Sequence, residues 1–236
     1  MNLLVLQFTH PRQSDPQPVF RHDVGVLAAL LKADGFAVRL AAMPGFRQDL
    51  LRAALEAHAP QCVLAELNPY SVAAARRTLA ELAETYRLPV VAFGQYATCR
   101  PRDAVSMPAV KALALGEHER TLLELFRAWR EGRSAAGLPG LWVRADGRLA
   151  KGDLPELRDD LDSLPFPDRE VFDYDRIVRR EKTATFKAAR GCDQWCAYCV
   201  NDWYMDLYAG KGPFLRRRSV GNLLDEVQEV VRRYPG

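Results

Sequence analysis

Apolar residues in the first 130 positions alternate between short continuous runs and stripes at helical spacing. The continuous runs predict five buried strands, over residues 2–8, 36–42, 62–67, 88–93 and 111–115. The stripes predict helices between the strands, among them residues 71–86, and a last helix over residues 119–130. Strands that alternate with helices are typical of a parallel sheet covered on both faces. The expected fold class is therefore α/β, with a doubly wound five-stranded parallel sheet of the Rossmann or flavodoxin type.

The pattern changes in the second half of the chain. Residues 141–150 are typical of a small hairpin around Asp146-Gly147, and residues 153–175 form an acidic segment with apolar anchors but no period. A new strand is predicted over 183–189, and Ser219 is in position to cap a final helix. That helix is expected to expose its apolar face. The chain is thus predicted to contain a doubly wound domain (1–135), a hairpin and linker (136–180) and a second domain (181–236) that is cut off after its first βα unit.

Composition and charge indicate which kinds of protein this chain can be. The chain of 236 residues is 48% hydrophobic and 27% charged, which is ordinary for a globular protein and excludes disorder, collagen and coiled coil. Its formal net charge of +3 gives no sign of a nucleic-acid partner. The first apolar run is too short for a membrane span and lacks the flanks of a signal peptide. A soluble, cytoplasmic protein is expected, and no catalytic triad, phosphate loop or paired-carboxylate site stands out.

Three of the five cysteines lie within eight residues, in the sequence Cys192-Asp-Gln-Trp-Cys196-Ala-Tyr-Cys199. Closely spaced cysteines on a loop are typical ligands of iron–sulfur clusters, and three thiolates leave one iron of a four-iron cluster open. A structural zinc site is an alternative, but it needs a fourth ligand, and the nearest histidine is His118 in the other domain. Buried, inert thiols are a third possibility. The spacing favours a [4Fe-4S] cluster.

The cysteine spacing, together with Arg190-Gly191 before it and Tyr198 before the last cysteine, resembles the signature of the radical S-adenosylmethionine superfamily. The resemblance implies that Cys192, Cys196 and Cys199 ligate a [4Fe-4S] cluster and that Tyr198 lies near the adenine of S-adenosylmethionine. It also implies formation of a 5′-deoxyadenosyl radical, and a second domain that is the first βα unit of a truncated (β/α) barrel.

Four upstream segments, in this order, resemble the N-terminal region of cobalamin-dependent members of that superfamily: residues 90–98, 115–119, 140–147 and 160–168. In a doubly wound sheet, ligands bind at the carboxyl ends of the strands. The resemblance therefore implies a cobalamin site there, and the candidate residues are Asn68, Ser71, Gly94, Gln95, Thr98 and Glu117. Gln95 stands where the family usually has a second glycine. His10 lacks the flanking motif that holds a cobalt-binding histidine, since Phe8 and Gln13 occupy its Asp and Gly positions.

The function that this resemblance implies is radical methyl transfer to a carbon centre by a cobalamin-dependent enzyme, with cyclisation and rearrangement as other outcomes in the family. The implied partners are a small-molecule or natural-product substrate and an electron donor of the flavodoxin or ferredoxin type. A radical enzyme without cobalamin is one alternative, and a non-catalytic module that binds cobalamin or a cluster is another. Because the barrel is expected to be incomplete, residues 1–236 alone are expected to be inactive.

Overall fold

A computed structural model describes residues 1–10, 17–145 and 148–235, with the backbone alone described at residue 145. The strands of its main sheet are β1 (Asn2–Phe8), β2 (Ala37–Met43), β3 (Cys62–Glu66), β4 (Val90–Phe93), β5 (Val110–Ala114), β6 (Leu141–Ala145) and β7 (Arg148–Lys151). The helices are α1 (His22–Ala33), α2 (Gln48–His58), α3 (Val72–Glu81), α4 (Gln95–Cys99), α5 (Pro101–Val105), α6 (Glu119–Arg130), α7 (Tyr174–Glu181), α8 (Val200–Leu207) and α9 (Val220–Arg233). A second, two-stranded sheet contains β8 (Ala189–Arg190) and β9 (Arg216–Arg217). Single 3-10 turns cover Pro69–Ser71 and Glu170–Phe172, and α3 continues into a π-helical turn, Leu82–Tyr86.

The main sheet has the strand order β2-β1-β3-β4-β5-β6-β7. The first five strands are parallel, as predicted, and their order is that of the flavodoxin-like doubly wound fold. The predicted strand count was too small, because the hairpin β6–β7 adds two antiparallel strands to the edge at β5. Leu141 of β6 pairs with Ala114, and its buried side chain extends the core beyond residue 135. The predicted turn, Asp146-Gly147, lies outside the described residues.

Each face of the sheet is covered by helices that bury an apolar stripe against it. On one face, Leu27 and Leu31 of α1 share a core with Leu122 and Phe126 of α6. On the other face, α2 and α3 pack against the opposite side chains of the same strands. Because the central strands are buried on both faces, β3 and β4 are uniformly apolar runs, apart from Glu66 at the end of β3. This is the reason that the sequence pattern located them.

The predicted strand 183–189 is wrong over most of its length. Only Ala189–Arg190 is paired, and the pairing is antiparallel, with β9. Further upstream, the backbone at Thr185 is held by side chains instead: its carbonyl accepts a hydrogen bond from Arg169 (3.2 Å) and lies 3.1 Å from His22 Nε2. The Thr185 N–H donates to the Tyr174 hydroxyl at 3.4 Å. Backbone groups paired in this way do not form a strand ladder, so the predicted first barrel strand is not present in that form among the described residues.

The predicted final helix is present as α9, and Ser219 Oγ accepts the Asn222 N–H at 3.1 Å, as an N-cap does. Leu224 and Val231 of its apolar face are 51% and 65% exposed, as expected. Val230, by contrast, packs into the core shared by α1 and α6. None of the helices in the described part of the chain has the length and apolar character that a membrane crossing requires.

Candidate functional site at the carboxyl edge of the sheet

Gly94 lies at the point where β4 ends, and its backbone requires glycine. Its φ is +103°, which L side chains rarely adopt, and a Cβ there would lie 2.9 Å from the Leu67 carbonyl oxygen. The close approach of residue 94 to Leu67 keeps the ends of β3 and β4 side by side. A larger side chain at residue 94 would therefore disturb the edge itself, in addition to any ligand.

Asn68 and Ser71 follow β3, and both are buried. Asn68 donates to Glu66 (3.3 Å) and accepts from Arg21 (3.1 Å), while Arg21 is also 2.9 Å from Glu66. The Ser71 hydroxyl donates to the Asn68 carbonyl at 3.1 Å. Burial raises the pKa of Glu66, and the adjacent Arg21 opposes that rise. The side chains of Asn68 and Ser71 thus stabilise the loop that follows β3.

Thr98 connects the loops that follow β4 and β5. Its hydroxyl donates to the Gly94 carbonyl at 3.0 Å and accepts the Gly116 N–H at 2.9 Å. Gln95, the first residue of α4, is half-buried beside Gly94. The predicted cobalamin residues from β3 to β5 therefore do lie along one edge, although Asn68, Ser71 and Thr98 use their polar groups to hold that edge together.

Three buried polar atoms at this edge have no hydrogen-bond partner among the described residues: Thr9 Oγ1, Glu66 Oε2 and His118 Nε2. They lie at the carboxyl ends of β1, β3 and β5. Unpaired buried polar atoms cost free energy, and a ligand with hydrogen-bonding groups at this edge would offset that cost. A ligand with many amide groups, such as cobalamin, fits this requirement. The described end of β1 also carries His10, whose ring lies 5.5 Å from the Tyr70 ring.

Two glutamates after β5 hold the segment that carries the cysteines. Glu119 is buried and lies 2.5 Å from Arg190, while Glu117 lies 2.5 Å from Arg216 and 3.4 Å from Arg190. Burial alone would raise the pKa of Glu119, but Arg190 and His118 lower it to about 2. Glu117, predicted as a cobalamin residue, is thus engaged in ion pairs with the cysteine segment.

Three consecutive arginines, Arg216 to Arg218, are typical of a solvated charge run, but two of them are largely buried. Arg216 is 3% exposed and pairs with Glu117, and Arg218 pairs with the fully buried Glu226 of α9. Sequence reasoning missed these pairs. The run of arginines close to the acids Asp225 and Glu226 is a local signal for the second pair, whereas nothing near Arg216 in the sequence points to Glu117.

The three clustered cysteines are free and half-buried on the loop between β8 and α8. The Cys199 N–H donates to the Cys196 carbonyl at 2.8 Å, which closes a backbone turn, and the Gln194 N–H lies 3.4 Å from Cys192 Sγ. Among the described residues, no three His, Cys, Asp or Glu side chains are placed to hold a single metal ion. A four-iron cluster makes a different demand, because each thiolate binds its own iron. The donor set of three thiols on one loop fits that demand, and Tyr198 beside them is 94% exposed.

The helix after the cysteines, α8, covers the β5 end of the edge. The Tyr208 hydroxyl that follows it accepts the Glu117 N–H at 3.0 Å, and a Cβ on Gly116 would lie 1.7 Å from that hydroxyl oxygen. Burial raises the pKa of Tyr208 to about 12, so the phenol stays protonated. A cavity of about 210 Å³ remains between this helix, the β5 end and the cysteine loop, and His118, Arg190, Gly191 and Tyr204 are among its lining residues. His118, which the sequence places in the other domain, therefore lies close to the start of the cysteine loop.

Comparison with known proteins identifies the fold. No family model matches the chain. A Pyrococcus horikoshii protein described as an uncharacterized methyltransferase is 26% identical over 140 residues, which are 58% of this chain and 29% of that protein. The radical S-adenosylmethionine methyltransferase TsrM from Kitasatospora setae, solved with tryptophan substrate and an S-adenosylmethionine analogue, is 21% identical with a TM-score of 0.69 over 98% of this chain. The cobalamin-dependent S-adenosylmethionine radical enzyme OxsB, solved with aquacobalamin and S-adenosylmethionine, is 18% identical with a TM-score of 0.75, also over 98%.

These relatives are much longer than this chain, which spans 46% of TsrM and 31% of OxsB. Their sequence identities are low, and what they share with this chain is the fold. The resemblance to cobalamin-dependent radical S-adenosylmethionine enzymes is confirmed at that level.

Proposed function

We propose that this chain forms the cobalamin domain and the cluster-binding loop of a cobalamin-dependent radical S-adenosylmethionine methyltransferase. The observation that carries the proposal is the docking of the three-cysteine loop on the carboxyl edge of a flavodoxin-like sheet. Arg190, two residues before the first cysteine, pairs with Glu119 at that edge. The fold shared with TsrM and OxsB, which were solved with these cofactors, supports the same assignment.

Each cofactor has candidate ligands in this chain. Cys192, Cys196 and Cys199 would bind a [4Fe-4S] cluster, and the exposed ring of Tyr198 is available to stack on the adenine of S-adenosylmethionine. When bound, the cluster supplies the electron that cleaves a carbon–sulfur bond of S-adenosylmethionine, and cobalamin supplies the transferable methyl group. The loop carries no fourth cysteine, so one iron of the cluster would stay open to the amino and carboxylate groups of S-adenosylmethionine.

The edge residues would hold cobalamin in two ways. Thr9, Glu66 and His118 each present a buried polar atom that lacks a partner among the described residues, and these atoms would pair with the amide groups of the ligand. Gly94 and Gln95 would contact it through the backbone, while Thr98 and Ser71 use their hydroxyls to keep the loops in place. The substrate of the whole protein is proposed to be a small molecule or natural product, and its electron donor a flavodoxin or ferredoxin.

Alanine at Cys192, Cys196 or Cys199 is expected to abolish cluster assembly, because each thiolate holds a different iron. The measurement is iron and sulfide content, with the visible absorption spectrum, after anaerobic reconstitution with ferrous iron and sulfide. Wild type should bind about four irons per chain. Stoichiometric zinc with no iron in the anaerobically purified protein would contradict the proposal.

The other two cysteines provide matched controls. Cys62 is fully buried in β3, where burial raises the pKa of its thiol to about 12, and Cys99 is half-buried at the end of α4. Neither lies on the 192–199 loop. Cys62→Ala and Cys99→Ala should therefore bind as much iron as wild type, and loss of the cluster in either variant would argue against the assignment of the three ligands.

Replacing Thr9 by valine is expected to weaken cobalamin binding about 3- to 10-fold, because one hydrogen bond to the ligand is lost. The substitution removes only a buried hydroxyl that has no partner among the described residues, so the free energy of unfolding should stay equal or rise. Equilibrium dialysis of hydroxocobalamin measures the binding, and chemical denaturation measures the stability.

Thr78→Val is the control for Thr9. The Thr78 hydroxyl is also buried, but it donates to the Ala74 carbonyl at 3.0 Å within α3. Its removal should leave cobalamin affinity unchanged.

If folded wild type takes up no cobalamin, the radical enzyme without cobalamin becomes the better interpretation, and Gln95 at the family's second glycine position favours it too.

A further inference from the structure

The cysteine loop is closed at its base by a short strand pair, here called the stem, in which two positively charged side chains lie opposite each other. The stem is the pair β8–β9, with two residues in each strand, and Arg190 is directly opposite Arg216 in its register. Two-stranded pairings are at best marginally stable in water, and like charges placed opposite each other destabilise them further. The stem therefore needs counter-charges from elsewhere in the molecule.

Glu117 and Glu119 supply those counter-charges from the end of β5. Arg216 places one guanidinium nitrogen 2.5 Å from Glu117 Oε1 and another 3.0 Å from Oε2. Arg190 lies 2.5 Å from Glu119 Oε1 and 3.4 Å from Glu117 Oε2. Glu117 thus contacts both arginines, and three of the four side chains are at most 15% exposed. Ion pairs of this burial hold a geometry that exposed pairs do not.

Two backbone contacts transmit this geometry to the cysteines. Gly191, between Arg190 and Cys192, lies so close to the returning strand that a Cβ would be 1.9 Å from the Phe214 carbonyl oxygen. At the other end of the loop, Tyr208 accepts the Glu117 N–H. Glu117 therefore contacts the segment before the cysteines with its carboxylate, through Arg190, and the segment after them with its backbone N–H, through Tyr208.

We infer that Glu117 and Glu119 are positioning residues that fix the cluster loop on the cobalamin edge by neutralising the arginine pair of its stem. This inference rests on the proposed function for the identity of the cluster, and on the ion pairs alone for the docking. Its consequence is that the first domain determines where the three thiolates lie.

The experiment compares wild type, Glu117→Gln, Glu117→Gln/Glu119→Gln and Cys192→Ala in the 236-residue chain. Hydrogen–deuterium exchange reports the docking: in the double variant, amides of 189–199 and 214–217 should exchange on the order of 100-fold faster, while β1 to β5 stay protected. Titration with ferrous iron in the presence of sulfide reports the ligand geometry. The double variant should assemble the cluster with about 10- to 100-fold lower apparent iron affinity, and Glu117→Gln should be intermediate, since Arg190 keeps Glu119.

Glu124→Gln is the matched control, because Glu124 lies on the same helix, α6, and pairs with Arg127 at 38% exposure. It should behave as wild type in both measurements. Unchanged loop exchange in the folded double variant, or unchanged iron affinity, would overturn the inference. If β1 to β5 also lose protection in the double variant, the test of the docking rests on the exchange of Glu117→Gln alone. If wild type assembles no cluster, the proposed function is wrong, but the exchange measurement still tests the docking of the loop. Cys192→Ala, which lacks a cluster ligand but keeps the ion pairs, should be as protected from exchange as wild type.

Discussion

Alanine at Glu226 is expected to lower the free energy of unfolding by about 3–5 kcal/mol. The Glu226 carboxylate is fully buried, with one oxygen 2.7 Å from Arg169 and the other bonded by Arg218. Arg169 is 4% exposed and is surrounded by the rings of Phe20, Tyr174 and Phe186 at 4.8 to 5.2 Å. Removal of the carboxylate leaves two arginines with an uncompensated buried charge, and α9 loses its ion pair with the segment that carries Arg169. Urea denaturation followed by circular dichroism measures the change.

Glu229→Ala on the same helix separates the ion pair from helix propensity. Glu229 lies 3.7 Å from Arg233, and both side chains are largely exposed. A surface pair of this kind contributes at most about 1 kcal/mol, so the control should lose little stability. Equal losses in the two variants would show that the buried triad adds nothing specific to the docking of α9.

The parallel part of the fold could be predicted because its signals are local. A strand buried on both faces is apolar at every position, so Val90 to Phe93 is recognisable without knowledge of its neighbours. Helix ends were also recognisable: Gly35 follows α1 with φ of +85°, and Ser219 caps α9. In each case the signal lies within a few residues of the element that it predicts.

The second half of the chain depends on contacts between residues that are distant in sequence. Residues 183–188 have the composition of a strand, but the backbone of Thr185 pairs with side chains of α1 and of the 169–174 segment. Helix α7 has only Tyr174, Ile177 and Val178 as buried residues, which is too short a stripe to identify from the pattern. The hairpin was recognised from its turn, but its own sequence does not indicate that it pairs with β5, since that pairing depends on the open edge of the sheet.

The candidate site, too, has one part that the sequence predicts locally and another that depends on distant contacts. The cysteine motif is local, so the spacing of its three residues is enough to single them out. The ion pairs of Glu117 and Glu119 with Arg190 and Arg216 join residues about 70 to 100 positions apart. A single charged residue in a sequence does not indicate which residue it pairs with. From the sequence, these glutamates are equally compatible with contacts to cobalamin and with acids in the first turn of a helix. Their ion pairs with Arg190 and Arg216 indicate a structural role instead.

The stability contributed by Glu119 is expected to disappear in acid. Its pKa is about 2 in the folded protein against an ordinary value of 4.5, because Arg190 and His118 favour its charged form despite burial. With a lowered folded pKa, the contribution is fully present above pH 4.5 and is lost as the pH falls towards 2. The size of the shift corresponds to about 3 kcal/mol. The measurement is the difference in unfolding free energy between wild type and Glu119→Gln from about pH 6 to the acid limit of folding, which should shrink through that window.

Asp49 tests whether burial, and not a low pKa alone, makes this contribution large. Its pKa is also lowered to about 2, through hydrogen bonds from Arg47, but the pair is exposed at the surface. Salt screens exposed charges much more than buried ones, so about 1 M sodium chloride should remove the pH-dependent difference between wild type and Asp49→Asn. The corresponding difference for Glu119→Gln should persist at the same salt concentration. If salt removed both differences equally, the Glu119–Arg190 pair would have to be open to water, and the stem of the cysteine loop would not be docked as described.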